Sequence, residues 1–327
     1  MKMSFMRNLT LTILLLMSLT EAFAACPPRM RGINLVPLPS GWYNGAVEMQ
    51  FPTATQIAYY KSVGMNSIRL PIHWEDLQPI LGNDLDARFI GHTVDFLDQA
   101  HAQGMKVLID LHNYARYRNQ LVGSPAVPAS AFRDVWKRLA AALVNHPAVF
   151  AYGLMNEPHH TGGLWHTVAQ SGVDGIREID AVRPIYVDGD GWSNSQNWPK
   201  ENPLPFVNDP SKKIVYEAHI YFDDDFSGRY KTPLGDADVA ARATQRLQPF
   251  LSWLTTHGQR GAIGETGVPQ DDPRWLAALT KFLDMTDAAC VDWFMWAGGG
   301  WRESYELSLE PINGKDRPQI KLLRSRL

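Results

Sequence analysis

Eight short runs rich in β-branched and apolar residues are spaced along the chain with helical stretches between them. This alternation limits the fold more than any other feature of the sequence. The runs are MRGINLV (30–36), NSIRLPI (66–72), MKVLIDLH (105–112), VFAYGLMNE (149–157), PIYVDGD (184–190), KIVYEAHIY (213–221), GAIGETG (261–267) and VDWFMWA (291–297). Over 53–64, 89–104, 131–146, 237–258 and 272–286, apolar residues recur at three- and four-residue steps, as in a helix with one face against a core. Several of these stretches stop at a glycine (Gly64, Gly104, Gly258) just before the next run. Strands alternating with helices call for a parallel sheet, and eight strands is the number that closes a (β/α)8 barrel. An open doubly wound sheet has a similar pattern, but no G-x-G-x-x-G turn follows the first run. Of the 327 residues, 45% are hydrophobic, enough for a large core, and no linker or repeat divides them. Residues 25–327 are therefore expected to form one α/β domain, a TIM barrel.

Residues 1–24 read as a secretory signal peptide. Lys2 and Arg7 give a positive start, an apolar run follows from about Leu9 to Leu19, and Ala22-Phe23-Ala24 offers small residues for cleavage. The run is shorter than the ~20 apolar residues of a spanning helix, so cleavage is favoured over anchoring. The chain is thus expected to be secreted or periplasmic, with no membrane association after cleavage. The remainder carries 29 basic and 33 acidic residues, which suits neither nucleic acid nor an anionic membrane as a partner. An uncharged substrate and a monomer are expected. The only two cysteines, Cys26 and Cys290, precede the first and last predicted strands, which are neighbours in a closed barrel. In an oxidising compartment they are predicted to form a disulfide, with lipid attachment at Cys26 as the rival.

Polar residues crowd at the C-terminal ends of the runs: Asn34, Arg69, His112, Asn113, Asn156, Glu157, Asp188, Asp190, His219, Tyr221, Glu265 and Trp296. Strand ends are often polar because they face water, but a full ring of polar exits marks the functional face of a barrel. Two carboxylates stand out, Glu157 ending the fourth strand in LMNEP and Glu265 ending the seventh in IGETG. Together they supply the proton donor and the second carboxylate that glycosidic cleavage needs.

These residues carry a resemblance to glycoside hydrolase family 5. The matching stretches are RGINL (31–35), NSIRLPIHWE (66–75), DLHNYARY (110–117), GLMNEPH (153–159), YEAHIYFD (216–223), IGETG (263–267) and MWAGGGW (295–301), in order and at barrel spacing over nearly the whole mature chain. The resemblance implies that Glu157 is the acid/base and Glu265 the nucleophile of a retaining enzyme. It implies that Arg69 and Tyr221 hold Glu265 ionised, that Asn156 binds the sugar 2-hydroxyl, that His112 and His219 line the subsite, and that Trp296 forms a stacking floor. Each has a plainer alternative: an ion pair of Arg69 with Glu75 or Asp76, core histidines or metal ligands, a packed tryptophan. The first strand has no histidine, unlike metal-dependent barrel hydrolases, so no metal and no cofactor are assigned.

Pyranose rings have an apolar face that packs on aromatic side chains. Trp42, Trp74 and Trp192 fall at or past strand exits and, with Asn113, are expected to bind substrate. The stretches 307–323 and DLHNYARY resemble cellulase-type members, which favours an endo-acting β-1,4-glucanase over a β-mannanase. Trp301-Arg302 departs from the paired tryptophans of several relatives. A phosphate site at Gly298–Gly300 would need a helix directly after it, and the following residues read as loop. A non-catalytic carbohydrate-binding barrel is the rival of another class, though such a protein would be expected to lose one glutamate.

Overall fold

A computed structural model describes residues 26–38, 49–235, 238–301 and 304–327; the expected export signal, Trp42 and Arg302 lie outside these residues. The described residues contain a closed barrel of eight parallel strands: β1 (Arg31–Val36), β2 (Ser67–Ile72), β3 (Lys106–Leu111), β4 (Val149–Gly153), β5 (Ile185–Asp188), β6 (Ile214–Tyr221), β7 (Gly261–Gly267) and β8 (Asp292–Gly299). Around the ring each strand pairs with its sequence neighbours, and β1 closes the sheet against β8.

Helices pack outside the strands: α1 (Ala54–Val63), α2 (Ala87–Ala102), α3 (Ala129–Leu143), α4 (Leu164–Arg177), α5 (Val239–His257), α6 (Trp275–Ala288) and α7 (Pro318–Arg324). Each turns an apolar stripe inward, for example Phe132, Val135, Trp136, Leu139 and Leu143 of α3. Between β5 and β6 stands only the single turn Trp198–Glu201, whose tryptophan is buried against Phe250 and Trp253 of α5. The main core lies between helices and sheet. A smaller one, Leu108, Ala151, Tyr186, Val215, Ala262 and Phe294, fills the barrel from six successive strands, β3 to β8.

Cys26 and Cys290 are joined by a disulfide with Cα atoms 5.4 Å apart, on either side of the β1–β8 seam and at the N-terminal end of both strands. The fourth strand is shorter than the sequence pattern suggests. It ends at Gly153, and residues 154–157 leave the ladder as an irregular exit. At Glu157 the backbone takes φ +45°, which no strand allows, and its N–H donates to Asp188 Oδ2 at 2.9 Å.

Candidate active site

Side chains two residues apart on a strand share a face. On β6, Val215, Glu217, His219 and Tyr221 therefore point the same way, the first into the apolar barrel plug and the others progressively toward its mouth. On β3 the same series runs Leu108, Asp110, His112, and on β5 it runs Tyr186, Asp188. On β7 the pairing slips: Ala218 faces Ile263, but His219 faces Glu265. Gly264 is the extra residue of this bulge, and the slip brings Glu265 level with His219.

The two glutamates meet across this mouth. A carboxylate oxygen of Glu157, one of Glu265 and a ring nitrogen of His219 all lie within 4.8 Å of one another. Glu157 Oε1 is 2.7 Å from His219 Nδ1. Glu265 accepts hydrogen bonds from Tyr221 Oη at 2.8 Å and from Arg69 Nη1 at 3.2 Å. Arg69 is wholly buried and spends its fork on several partners: Glu217 at 2.9 Å, Asn156 Oδ1 at 2.8 Å, Asn34 Oδ1 at 3.0 Å and Asp110 at 3.1 Å. It thus pairs with carboxylates inside the barrel and makes no ion pair with Glu75.

Electrostatics follow from burial and from this crowd of charges. Burial pushes the Glu265 carboxyl above its ordinary range, against the pull of His219 and Arg69. The expected stabilisation of its charge by Arg69 is therefore present, but desolvation outweighs it. Burial opposes charge on His219, yet Glu265, Asp188, Glu157 and Glu217 together hold the imidazole well above its usual value. His112 differs. Burial lowers it to about 3, so it is a neutral ring, with Nδ1 2.8 Å from Asp110 Oδ2 and one proton shared across that contact. Asp110 itself is pushed up to about 7 by burial, against Arg69.

Asn156 Oδ1 is held by Arg69, while its buried Nδ2 has no protein partner, a donor left for a ligand. Trp296 packs its indole parallel to His112, with centroids 5.8 Å apart, and donates Nε1–H to Tyr305 Oη at 2.8 Å. Tyr305, stacked on Trp301 at 4.5 Å, carried no sequence signal because it lies in the loop after β8. Trp192 is 44% exposed and lies flat on the His159 ring at 4.6 Å. Its backbone N–H donates to Pro158 O at 2.9 Å, which places it beside Glu157.

Two expected substrate contacts are corrected. Trp74 is fully buried, packed on Tyr117 and Phe132, with its indole N–H on Gln78; it is a core residue. Asn113 spends its whole amide on protein: Oδ1 accepts from Trp74 N at 2.6 Å, and Nδ2 donates to Glu75 and Arg116 O. It shapes the loop after β3 and has no N–H left to give a sugar. Clusters of carboxylate and imidazole occur at Glu157–His219–Glu265 and at Asp188–Glu217–His219. Both share one imidazole held charged between carboxylates, and the Arg69 guanidinium lies among them, so the donors form an ion-pair cluster and are assigned no metal.

The model of the cellulase family, glycosyl hydrolase family 5, matches residues 23–300. The chain belongs to this family. Among solved structures it is similar to the endoglucanase Cel5A of Pseudomonas stutzeri in complex with cellobiose, with 38% identity, a TM-score of 0.88, and 92% of this chain and 95% of that one covered. The endo-β-1,4-glucanase Xac0029 of Xanthomonas axonopodis pv. citri is similar at 32% identity, with a TM-score of 0.84 and coverage of 91% and 98%. Endo-β-1,4-glucanase B of Aspergillus niger is 30% identical over 271 residues, covering 81% of this chain and 78% of the relative. As a family 5 cellulase, the protein is a glycoside hydrolase.

Proposed function

We propose that the protein cleaves β-1,4-glucan chains internally, with retention of anomeric configuration, through Glu157 and Glu265. The observation that carries this reading is the separation of the two carboxylates. Oxygens within 4.8 Å suit the ~5–5.5 Å spacing of retaining sites, against roughly 6.5–9.5 Å for inverting ones. In the first step Glu265 attacks the anomeric carbon while Glu157 gives its proton to the leaving glycosidic oxygen. A glycosyl ester on Glu265 results. In the second step Glu157 takes a proton from water, the water oxygen attacks the same carbon, and the Glu265 carboxylate leaves.

The surrounding groups fit these steps. Tyr221, kept protonated by burial, donates to the oxygen of Glu265. Asn156 Nδ2, buried and without a protein partner, is the donor proposed for the sugar 2-hydroxyl. Trp296 offers a flat apolar surface beside His112, and Trp192, next to the proton donor, offers one to the departing sugar. Glucan is favoured over mannan by the relatives, which are endoglucanases, one of them in complex with cellobiose. Export, to the periplasm or the medium, is proposed from residues 1–24, and the enzyme is proposed to act as a monomer. No helix among the described residues is long and apolar enough to cross a membrane.

Two measurements test the proposal. Reducing-sugar release from carboxymethylcellulose, mannan and xyloglucan should be fastest on the cellulose derivative. Proton NMR of the first products should show the β-anomer, and initial α-anomer would overturn the assignment of Glu265. Glu157→Gln should lower turnover on glucan by about 100- to 10,000-fold. Full activity would remove Glu157 from its role.

A further inference from the structure

Behind the two glutamates lies a third that the two-carboxylate mechanism does not use. Glu217 sits two residues below His219 on β6, on the same inward face, and is fully buried. Its Oε1 is 2.9 Å from Arg69 Nε and 3.6 Å from His219 Nε2. Arg69 is the group that holds Glu265 from below, and His219 holds Glu157 through its other nitrogen. The chain also reserves space for this carboxylate. A Cβ on Gly264, the residue before Glu265, would lie 1.9 Å from Glu217 Oε1. Any larger residue there would have to push the carboxylate off both partners.

Resting on the reading of Glu157 and Glu265 given above, we propose that Glu217 is a positioning residue that ties the two catalytic arms together. Its carboxylate pairs electrostatically with the guanidinium behind the nucleophile, with no aligned hydrogen bond between them, and faces the far nitrogen of the imidazole that holds the acid/base. A protonated His219 then has carboxyl groups at each end: Glu157 at Nδ1, with Glu265 3.6 Å away, and Glu217 and Asp188 each 3.6 Å from Nε2. The titratable groups facing Glu217 are Arg69 from β2, Asp110 from β3 with His112 just beyond it, Tyr186 and Asp188 from β5, and His219 from its own strand. Burial alone would raise Glu217, but Arg69 and His219 hold it below the usual carboxylate range. Asp188, its partner across the β5–β6 ladder, is driven the other way by burial and by Glu217 itself. The pair therefore keeps its negative charge on Glu217, the member that grips Arg69.

The sign of the effect follows from Coulomb's law. Removing the Glu217 charge leaves Arg69 and His219 less compensated, and both then stabilise ionised Glu265 more strongly. The test is Glu217→Gln, which keeps the size but removes the charge and one acceptor oxygen, assayed on hydroxyethylcellulose as a function of pH. The expected result is a kcat lowered about 10- to 100-fold by loss of alignment. KM should stay within about two-fold, and the acid limb should move down by about half a unit or more. Glu217→Asp, which keeps the charge, should return the limb to its original position. A wild-type profile, or a lowered kcat with an unmoved limb, would overturn the proposal.

Should the glutamine variant not fold, nitrogen NMR of the His219 ring in the unmodified enzyme decides instead. Both ring nitrogens should remain protonated between pH 5 and about 7, and a neutral ring there would overturn it. Failure of the underlying reading would show separately, as activity in Glu157→Gln or α-anomeric first products.

Discussion

An indole packed in the core and an indole on the rim fail differently when cut back to alanine. Trp74→Ala removes a fully buried side chain wedged between Tyr117 and Phe132 and strands the Gln78 amide. A loss of about 3–5 kcal/mol is expected, read as a lower midpoint in urea. Trp192→Ala removes a half-exposed ring whose main contacts are His159 and His160. Its melting temperature should stay close to wild type while KM for soluble glucan rises about three- to ten-fold, the size of one stacking contact. A reversal of these two outcomes would reverse their assignments. In the sequence both tryptophans follow a strand exit and neither is distinguishable from the other. What separates them is a helical turn at Trp74–Leu77 that rolls the first indole inward, and short-range pattern does not fix that rotation. Glu157 and Glu265 were legible because each stands at a strand exit inside a distinctive stretch. Glu217 was not singled out, although the two-residue spacing Glu217, His219, Tyr221 places it on their face and was there to be read.

At the scale of elements, the closing seam of the barrel is held by a bond as well as by the β1–β8 ladder. Converting Cys26 and Cys290 to serine opens a loop of 264 residues in the unfolded chain. The chain-entropy model puts the cost on the order of 5 kcal/mol as an upper figure. The expected outcome is a lower urea midpoint with kcat nearly unchanged, because the bond lies at the N-terminal end of the strands and Glu157 and Glu265 at the other. An unchanged midpoint would show that the ladder alone secures the seam. The placement of this pair was legible from topology, since first and last strands must meet in any closed barrel. Element ends were harder. The β4 exit reads as strand to Glu157 because the apolar run continues through Leu154 and Met155, but Glu157 itself takes a left-handed φ and gives its N–H to Asp188 on the adjacent strand. Helix α4 contains Gly172 and Gly175, which weaken a helical pattern. The reason lies in the next layer: a Cβ at 175 would come 2.3 Å from the Arg133 carbonyl of α3, so close helix packing took precedence over propensity.

For the whole molecule, the distribution of charge bears on which form of glucan it handles best. The chain carries a small excess of acid overall, 34 acidic against 31 basic residues. Five carboxyls, Asp110, Asp188, Glu157, Glu217 and Glu265, crowd at the barrel mouth around Arg69 and His219. With Arg69 and His219 charged and Asp188 protonated, this buried cluster is close to neutral, so an anionic derivative is repelled chiefly by the acid excess of the exposed surface, which an uncharged chain does not feel. Raising ionic strength from 0.01 to about 0.15 M shortens the screening length from ~30 to ~8 Å, which removes most of the repulsion between exposed charges. Initial rates at low substrate should therefore rise, by about two-fold, on carboxymethylcellulose and stay flat on hydroxyethylcellulose. Equal responses on the two would mean that the acid excess is balanced locally by basic side chains along the cleft. In that case the excess of acid has no bearing on how the polysaccharide approaches, and recognition rests on the aromatic faces and the hydrogen-bonding groups of the site alone.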